Sequence, residues 1–196
     1  MTSILKADNI QDADGNNIIN ESGNTITIGA SGDTTNIIGT LQNNGAAVGG
    51  ANTPYFYAFL SSSQTISDAT TTTVAFNSEL IDTASAFDTS TYRFTPQTAG
   101  YYQLHTQVNC DAQAADSFQL GQIFIRKNGT AVSNSFHDGR NDETGYAQTP
   151  SLSVIVQANG SSDYFDVQGY VDSSSGSQRF YGASDSPTFF WGYKLI

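Results

Sequence analysis

The chain has 196 residues, with 18 acidic against 7 basic side chains and a formal charge of −11. Such a charge repels nucleic-acid phosphates and anionic lipid headgroups, which argues against a nucleic-acid partner. No segment approaches the ~20 consecutive apolar residues of a membrane-spanning helix, so we expect no membrane insertion. The first residues lack the apolar stretch of a signal peptide, and we expect a soluble protein made in a cytoplasm.

The first 53 residues contain no aromatic side chain and carry a weak repeat. Each unit is a Gly-Asn or Gly-Asp turn followed by a short strand with isoleucines, beginning at Gly15, Gly23 and Gly32. Such repeats become stable when neighbours complete their core, so residues 1–41 are predicted to form an anchor and shaft in which three chains share an apolar axis. A disordered polar tail is the alternative. The isoleucines expected on the axis are Ile18, Ile26, Ile28 and Ile37.

Residues 42–53 are rich in Gly, Asn and Ala and are predicted to form a linker. All aromatic residues follow Pro54. From there on, strand-like runs alternate with Gly/Asn/Asp/Ser clusters, and we find no stretch of helical periodicity. Many short strands at this spacing predict an all-β sandwich or jelly roll. The predicted strands cover residues 55–60, 72–76, 92–94, 101–110, 118–126, 152–156, 164–171, 178–181 and 188–196.

The run after residue 100 has the clearest strand pattern. Tyr102, Leu104, Thr106 and Val108 recur at every second position, with mostly polar residues between them, which predicts one face packed on a core. The single cysteine, Cys110, shares their parity and is interpreted as a small buried apolar residue rather than a nucleophile. One thiol allows no disulfide within the chain.

Four aromatic residues around this strand, together with an aspartate and a glycine, follow a fixed order and spacing. With the number of intervening residues in brackets, the pattern is Phe76-(five)-Asp82-(four)-Phe87-(six)-Phe94-(five)-Gly100-x-Tyr102. The order resembles the signature of the C1q/TNF-like family, with Leu104 and Thr106 where that signature has aromatic residues. Residues 123–130 and 189–196 resemble the family's Asn-Gly hairpin and its closing aromatic strand. The resemblance covers residues 54–196 and implies a ten-stranded jelly-roll head, assembled as a homotrimer. The expected fold-signature residues are Phe76, Asp82, Phe87, Phe94, Gly100, Tyr102 and Leu104.

The first and last strands of this region are apolar on both faces, which also favours self-association. Half-buried antiparallel strands normally alternate with polar residues, and soluble monomers rarely leave large apolar patches open. A partner chain is therefore expected on the second face, although the protein's own loops are an alternative cover. The candidate interface residues are Tyr55, Tyr57, Phe59, Phe189, Trp191 and Tyr193.

The sequence contains no motif that brings a nucleophile, a base and an orienting group together, so we expect no enzyme activity. His105 lies on the outward parity of its strand, and His137 is expected in a loop. Residues 137–145 carry oxygen ligands suited to Ca²⁺, but Arg140 occupies a position where a calcium loop needs an oxygen. We assign no cofactor and no metal, and leave Ca²⁺ open.

The segments SILKADNIQDADGNNII (residues 3–19) and ITIGASGDTTNIIGTL (residues 26–41) resemble N-terminal segments of tailed-bacteriophage structural proteins, particularly marine ones. The hypothesis is a trimeric fibre or spike on the virion surface, with residues 1–53 bound to other virion proteins and residues 54–196 contacting a host-surface glycan or protein. The alternatives are a capsid decoration protein (head fibre) without a receptor role, and a bacterial surface or secreted C1q-like ligand-binding protein. The receptor contacts are expected in loops of the head at residues 111–116, 137–146 and 172–178. The candidate receptor-contact residues are Asp111, Asp116, His137, Asp138, Arg140, Asp142, Tyr146 and Asp172.

Overall fold

The computed structural model describes residues 9–11, 13, 17–22, 25–28, 31–38, 41–43, 46–47, 53–140 and 145–195. The chain divides into two compact units, Met1–Gly49 and Gly50–Ile196. The described part contains strands and no helix, and all of its strand pairs are antiparallel, so the predicted all-β fold is confirmed. Accordingly, none of the described segments is a helix of the length and apolarity that crossing a bilayer requires.

The first unit contains a three-stranded sheet and a small hairpin. The sheet has the order β1-β2-β3. Its strands are β1 (Asn9–Gln11), β2 (Asn17–Ser22) and β3 (Thr25–Ile28), and the hairpin strands are β4 (Gln42–Asn43) and β5 (Ala46–Ala47). The first two repeat units therefore form paired strands, and the hairpin lies within the range predicted as a linker.

The third repeat unit differs from its prediction. Residues 31–38 form no strand, and all of their side chains are exposed. Ile37 is 48% exposed and Ile38 is 96% exposed. Within the single chain the expected strand after Gly32 does not form, because a strand needs a paired neighbour and the described residues supply none there.

The described residues of the second unit form two large sheets and one small sheet. The six-stranded sheet has the order β10-β11-β18-β14-β15, with β8 also pairing β18. Its strands are β8 (Thr72–Thr73), β10 (Phe87–Asp88), β11 (Arg93–Phe94), β14 (Phe118–Lys127), β15 (Thr130–Asp138) and β18 (Phe165–Ser173). The five-stranded sheet has the order β17-β12-β20-β6-β9. Its strands are β6 (Tyr55–Phe59), β9 (Ser78–Asp82), β12 (Gly100–Gln107), β17 (Ser151–Ala158) and β20 (Phe189–Lys194).

The small sheet has the order β16-β13-β19-β7. Its strands are β7 (Gln64–Thr65), β13 (Asn109–Asp111), β16 (Ala147–Gln148) and β19 (Arg179–Tyr181). It follows directly from the five-stranded sheet because β13 begins two residues after β12 ends, with only Val108 between them. Cys110 and Phe180 of the small sheet are fully buried, so one of its faces packs on the core.

Stacked aromatic rings join the two large sheets. The Phe56 ring on β6 lies 4.2 Å from the Phe94 ring on β11 and 5.4 Å from the Phe87 ring on β10. Tyr102 on β12 contacts Phe94 edge-on, with the ring centroids 5.6 Å apart. Rings of this size span the ~10 Å between packed sheets, and edge-on or offset contacts suit their quadrupoles. Phe76, Phe94, Tyr102 and Leu104 are fully buried, and Phe87 is 5% exposed.

Two further residues of the predicted signature shape the backbone. Asp82 ends β9, and its carboxylate accepts hydrogen bonds from the Ala84 and Phe87 amides, at 3.1 and 2.7 Å. These bonds hold the loop that leads into β10. Gly100 begins β12 with φ at +152°, and a Cβ there would lie 2.8 Å from Lys194 Cε. Glycine relieves both constraints where the chain enters this strand.

Replacing Phe94 tests the importance of the ring stack. Phe94→Ala removes a fully buried ring that contacts both sheets, and we expect it to lower the free energy of unfolding by about 3–5 kcal/mol. Urea unfolding followed by circular dichroism at a fixed protein concentration measures this change. The control Phe136→Ala, at a ring 63% exposed, should alter it by no more than about 0.5 kcal/mol. Equal effects of the two variants would contradict the central role of the stack.

Candidate functional site

The outer face of the five-stranded sheet carries a cluster of aromatic side chains. In the register of β6 and β20, Phe59 pairs with Phe189, Tyr57 with Trp191 and Tyr55 with Tyr193. We call these six residues the aromatic face. All six are at least partly exposed, whereas the residues between them, Phe56, Ala58, Phe190 and Gly192, are buried on the core side. Strands β6 and β20 are therefore apolar on both sides.

The rings of the aromatic face hold one another in place. The Tyr57 ring stacks on the Phe189 ring at 5.4 Å, and burial raises the pKa of the Tyr57 hydroxyl. Trp191 and Tyr193 are nearly parallel, with ring centroids 6.0 Å apart. The Tyr193 hydroxyl donates a hydrogen bond to Gln103 Oε1 at 2.8 Å. These contacts fix a rigid apolar surface, and rigid aromatic side chains lose little conformational entropy on binding.

A groove of about 370 Å³ opens on the aromatic face. Tyr55, Tyr57, Trp191 and Tyr193 line it together with Ile81 of β9, and the lining is almost entirely apolar. Ile81 is 41% exposed and lies opposite Tyr57 in the sheet register. Ile81 is absent from the sequence prediction because its strand, Ser-Glu-Leu-Ile-Asp, has no period-two alternation.

His105 lies beside the aromatic face on β12. It pairs with Trp191 in the register, and its ring lies 5.1 Å from the Trp191 ring and 5.7 Å from the Phe189 ring. Its Nδ1 is 2.7 Å from Ser153 Oγ on β17. Burial among these groups lowers the pKa of His105. The uncharged imidazole is therefore the form that the folded chain favours.

The isoleucines predicted for the shaft axis have exposed side chains where the structure describes them. Ile28 is 55% exposed and Ile37 is 48% exposed. Ile18 lies in β2 and Ile26 lies in β3, and both side chains fall outside the described part of the chain. Ile28 and Ile37 thus remain available to a neighbouring chain.

Four of the candidate receptor residues expected in loops lie in strands instead, namely Asp111, His137, Asp138 and Asp172. Asp111 ends β13, is 3% exposed and accepts a hydrogen bond from Arg179 Nε at 2.7 Å. Its placement in an open contact loop is therefore wrong, because the carboxylate is buried by its ion pair. His137 lies within β15 and Asp172 within β18, so these two also belong to a sheet.

Asp138 and the remaining candidate receptor residues are exposed where they are described. Asp116 is exposed, with φ at +58°, and Tyr146 is 58% exposed. Asp138 ends β15, and its Oδ1 accepts a hydrogen bond from Arg140 Nε at 2.8 Å. That bonding from Arg140 lowers the pKa of the Asp138 carboxyl to about 2. Asp142 lies outside the described residues.

The described groups considered for metal or nucleophile chemistry are held by other residues or buried. The Asp138 carboxylate of the possible calcium loop is engaged by Arg140. The described residues include no group of three His, Cys, Asp or Glu side chains able to hold a metal ion, and residues 141–144 of that loop are not among them. Cys110 is fully buried, and burial raises the pKa of its thiol to about 12, so the reactive thiolate is strongly disfavoured.

No family model and no curated protein matches this sequence. Solved structures do share its fold. The globular domain of zebrafish complement 1qA protein has 13% identity and a TM-score of 0.53, covering 73% of this chain and 97% of its own. Eiger TNF from S. frugiperda has 11% identity and a TM-score of 0.51, covering 73% of this chain and 94% of its own. Murine APRIL at pH 5.0 has 15% identity and a TM-score of 0.50, covering 72% of this chain and 99% of its own.

These similarities define the class of fold. At such identities they establish architecture alone, because one fold serves many functions. The chain contains a C1q/TNF-like jelly roll, and the resemblance found in the sequence is confirmed at the level of the fold.

His105 predicts a pH dependence of stability. The folded-state pKa of His105 lies below its ordinary value of 6.5, so the unfolded chain binds this proton more readily. The contribution of the uncharged His105 to the free energy of unfolding is fully present above pH 6.5 and is lost as the pH falls towards the folded-state pKa. We expect the urea midpoint of the wild type to fall between pH 7 and pH 5, and His105→Gln to reduce this fall.

The control for this measurement is Ser153→Ala, which removes the Nδ1 partner but keeps the titrating imidazole. It should retain the fall in the urea midpoint. An identical pH profile for the wild type and His105→Gln would show that His105 makes no contribution.

Proposed function

We propose that this chain forms a homotrimer through the aromatic face and serves as the attachment spike of a tailed bacteriophage. The aromatic face is the main observation that supports the trimer. It combines six partly exposed aromatic side chains with an open apolar groove of about 370 Å³. Surfaces of this kind on soluble proteins usually mark an interface.

A second copy of this chain is the partner that best fits the aromatic face. Each chain carries a formal charge of −11, so copies repel one another overall, and this repulsion opposes a contact least where the contact surface is uncharged. The six residues of the aromatic face bear no charge at neutral pH. Screening salt should therefore strengthen assembly by weakening the repulsion elsewhere. The C1q/TNF-like resemblance implies threefold rather than twofold closure, and a shaft built from three chains requires the same number.

Measuring the mass of the full chain tests the trimer. We expect sedimentation equilibrium at about 10 μM protein to give three times the chain mass of 20.9 kDa. Trp191→Glu places a charge in the groove and should give a folded monomer, because desolvating an unpaired carboxylate at an interface is costly. Circular dichroism checks that this variant is folded.

The matched control is Phe136→Glu, at an exposed ring on β15 of the other large sheet. It should remain trimeric. A wild-type chain that is folded and monomeric at this concentration would overturn the proposed assembly.

The bacteriophage assignment is supported by the first 53 residues. Their resemblance to phage structural segments accompanies a small sheet that carries the exposed Ile28, and a segment outside the sheet that carries the exposed Ile37. We infer that residues 1–53 bind other virion proteins and that residues 54–196 contact a glycan or protein on the host surface. Three heads per spike and many spikes per virion make weak single contacts effective through avidity. The chain is then made in the host cytoplasm and resides on the virion surface.

Electron microscopy with gold-labelled antibody against the full chain tests this placement. We expect label at the tail or its fibres on particles from a lysate, because an attachment protein must reach the host surface. Label confined to the capsid would instead favour a decoration protein without a receptor role. Unlabelled particles, with the protein found outside intact uninfected bacteria, would favour a bacterial ligand-binding protein and contradict the proposal.

A further inference from the structure

A second concave site lies on the small four-stranded sheet. It is a cleft of about 360 Å³ that shares no lining residue with the groove of the aromatic face. This volume falls within the range typical of small-ligand sites. We call it the polar cleft, and its lining residues are Asn109, Asp111, Tyr146, Ala147, Arg179 and Tyr181.

Strand pairing places the polar side chains of the cleft together. In the register of β13 and β19, Asn109 lies opposite Tyr181 and Asp111 lies opposite Arg179. Because side chains alternate between the faces of a strand, these four share one face, while Cys110 and Phe180 between them enter the core. Position 147 of β16 lies opposite Asp111 on its other side. The cleft is thus built on paired strands.

Several contacts hold the ion pair of the cleft, Arg179 and Asp111, in place. Arg179 Nε donates to Asp111 Oδ2 at 2.7 Å, and Asp111 Oδ1 accepts a hydrogen bond from the Gln113 amide at 2.7 Å. The Arg179 guanidinium carbon also lies 5.0 Å from the centre of the Tyr181 ring. The Nη groups of Arg179 donate no hydrogen bond to any described residue. They therefore offer oriented donors in a rigid fork.

The side-chain amide of Asn109 has unused hydrogen-bonding capacity. Its Oδ1 is buried and accepts no hydrogen bond in the described part of the chain. The backbone amide of Asn109 is satisfied by Thr188 Oγ1 at 2.9 Å, so the strand itself is held in place. Buried polar atoms are almost always paired, and an unpaired one next to a cleft calls for a partner. Asn109 lines the cleft, so a polar molecule that enters the cleft lies beside this side-chain amide.

Two tyrosines add aromatic surface to these polar groups. Tyr146 is 58% exposed and Tyr181 is 36% exposed. Aromatic rings provide apolar surface against which the C–H groups of a ligand can pack. The cleft therefore combines apolar rings with a small number of oriented polar groups, and a ligand that fits it must be amphipathic in the same way.

We propose that the polar cleft binds a neutral saccharide unit of a cell-surface glycan. This inference rests on the proposed attachment function and specifies its ligand. A sugar ring presents C–H groups that can pack on Tyr146 and Tyr181, and hydroxyl groups that can meet Asn109 and Arg179. The ion pair with Asp111 neutralises Arg179, and the chain carries a formal charge of −11, so an anionic sugar is disfavoured.

The cleft is suited to binding rather than cleaving the glycan. Glycoside hydrolysis generally uses two carboxyl groups, one on each side of the scissile bond. Asp111 is the single carboxylate among the described residues that line the cleft, and its ion pair with Arg179 holds it.

A glycan array tests the ligand class with the labelled full chain. The array carries neutral oligosaccharides of glucose, galactose, mannose and N-acetylglucosamine beside sialylated and sulfated ones. We expect binding to members of the neutral set, and we expect Tyr146→Ala to weaken it about tenfold, because an aromatic contact is lost at each of three sites. Asn109→Ala should weaken it similarly. The matched control, Phe136→Ala, removes an aromatic ring of similar exposure on β15 and should bind like the wild type.

Adhesion of the same proteins to the bacterium on which the phage forms plaques separates this inference from the proposed function. If the wild type adheres to cells but binds no neutral glycan, the saccharide site is wrong and attachment stands. If both cleft variants bind the neutral glycans as the wild type does, the saccharide site is wrong as well. Binding restricted to the sialylated or sulfated glycans also overturns the neutral class. If the cleft variants lose glycan binding but no protein adheres to cells, the site stands and the attachment function falls.

Discussion

Strands β6 and β20 lie side by side and carry apolar residues on both faces, and the second unit depends on this arrangement. On the inner face, Phe56 and Phe190 contact edge-on at 5.0 Å and join the buried core. On the outer face, Tyr57 and Phe189 stack and remain partly exposed. The same two strands therefore stabilise the sandwich and present the surface that we propose for self-association. Burial of apolar area favours both processes, so folding and assembly are expected to reinforce one another.

The proposed assembly and the proposed ligand site occupy different sheets. The aromatic face belongs to the five-stranded sheet, and the polar cleft belongs to the small sheet that continues from it through β12 and β13. Their chemistry also differs. The aromatic face is apolar and uncharged, whereas the polar cleft holds a fixed ion pair and the Asn109 Oδ1 atom, which accepts no hydrogen bond from the described residues. A protein built this way can repeat a weak ligand site threefold without placing it in its own interface. Avidity then depends on assembly, while specificity depends on the cleft.

Much of the fold followed from local patterns in the sequence. The alternation in residues 102–108 predicted the buried face of β12, because neighbouring side chains in a strand point to opposite sides whatever the strand packs against. The aromatic residues of β6 and β20 were identified by the same argument. Strands of two residues, such as β7 and β16, have no pattern to detect. The third repeat unit shows the opposite case. Residues 31–38 have a strand-like pattern but form no strand, because no described segment pairs with them.

The candidate sites also differ in how far the sequence alone could predict them. The sequence by itself determined which residues are apolar, which alternate, and that two strands had too much apolar surface for one core. Only the tertiary structure decided that Asn109, Asp111, Tyr146, Arg179 and Tyr181 meet in one cleft, and that Asp111 is buried there by an ion pair. The physical reason is that side-chain alternation is a property of each strand alone. The pairing of β13 with β16 and β19 joins segments far apart in the chain, and it depends on how the whole sandwich packs.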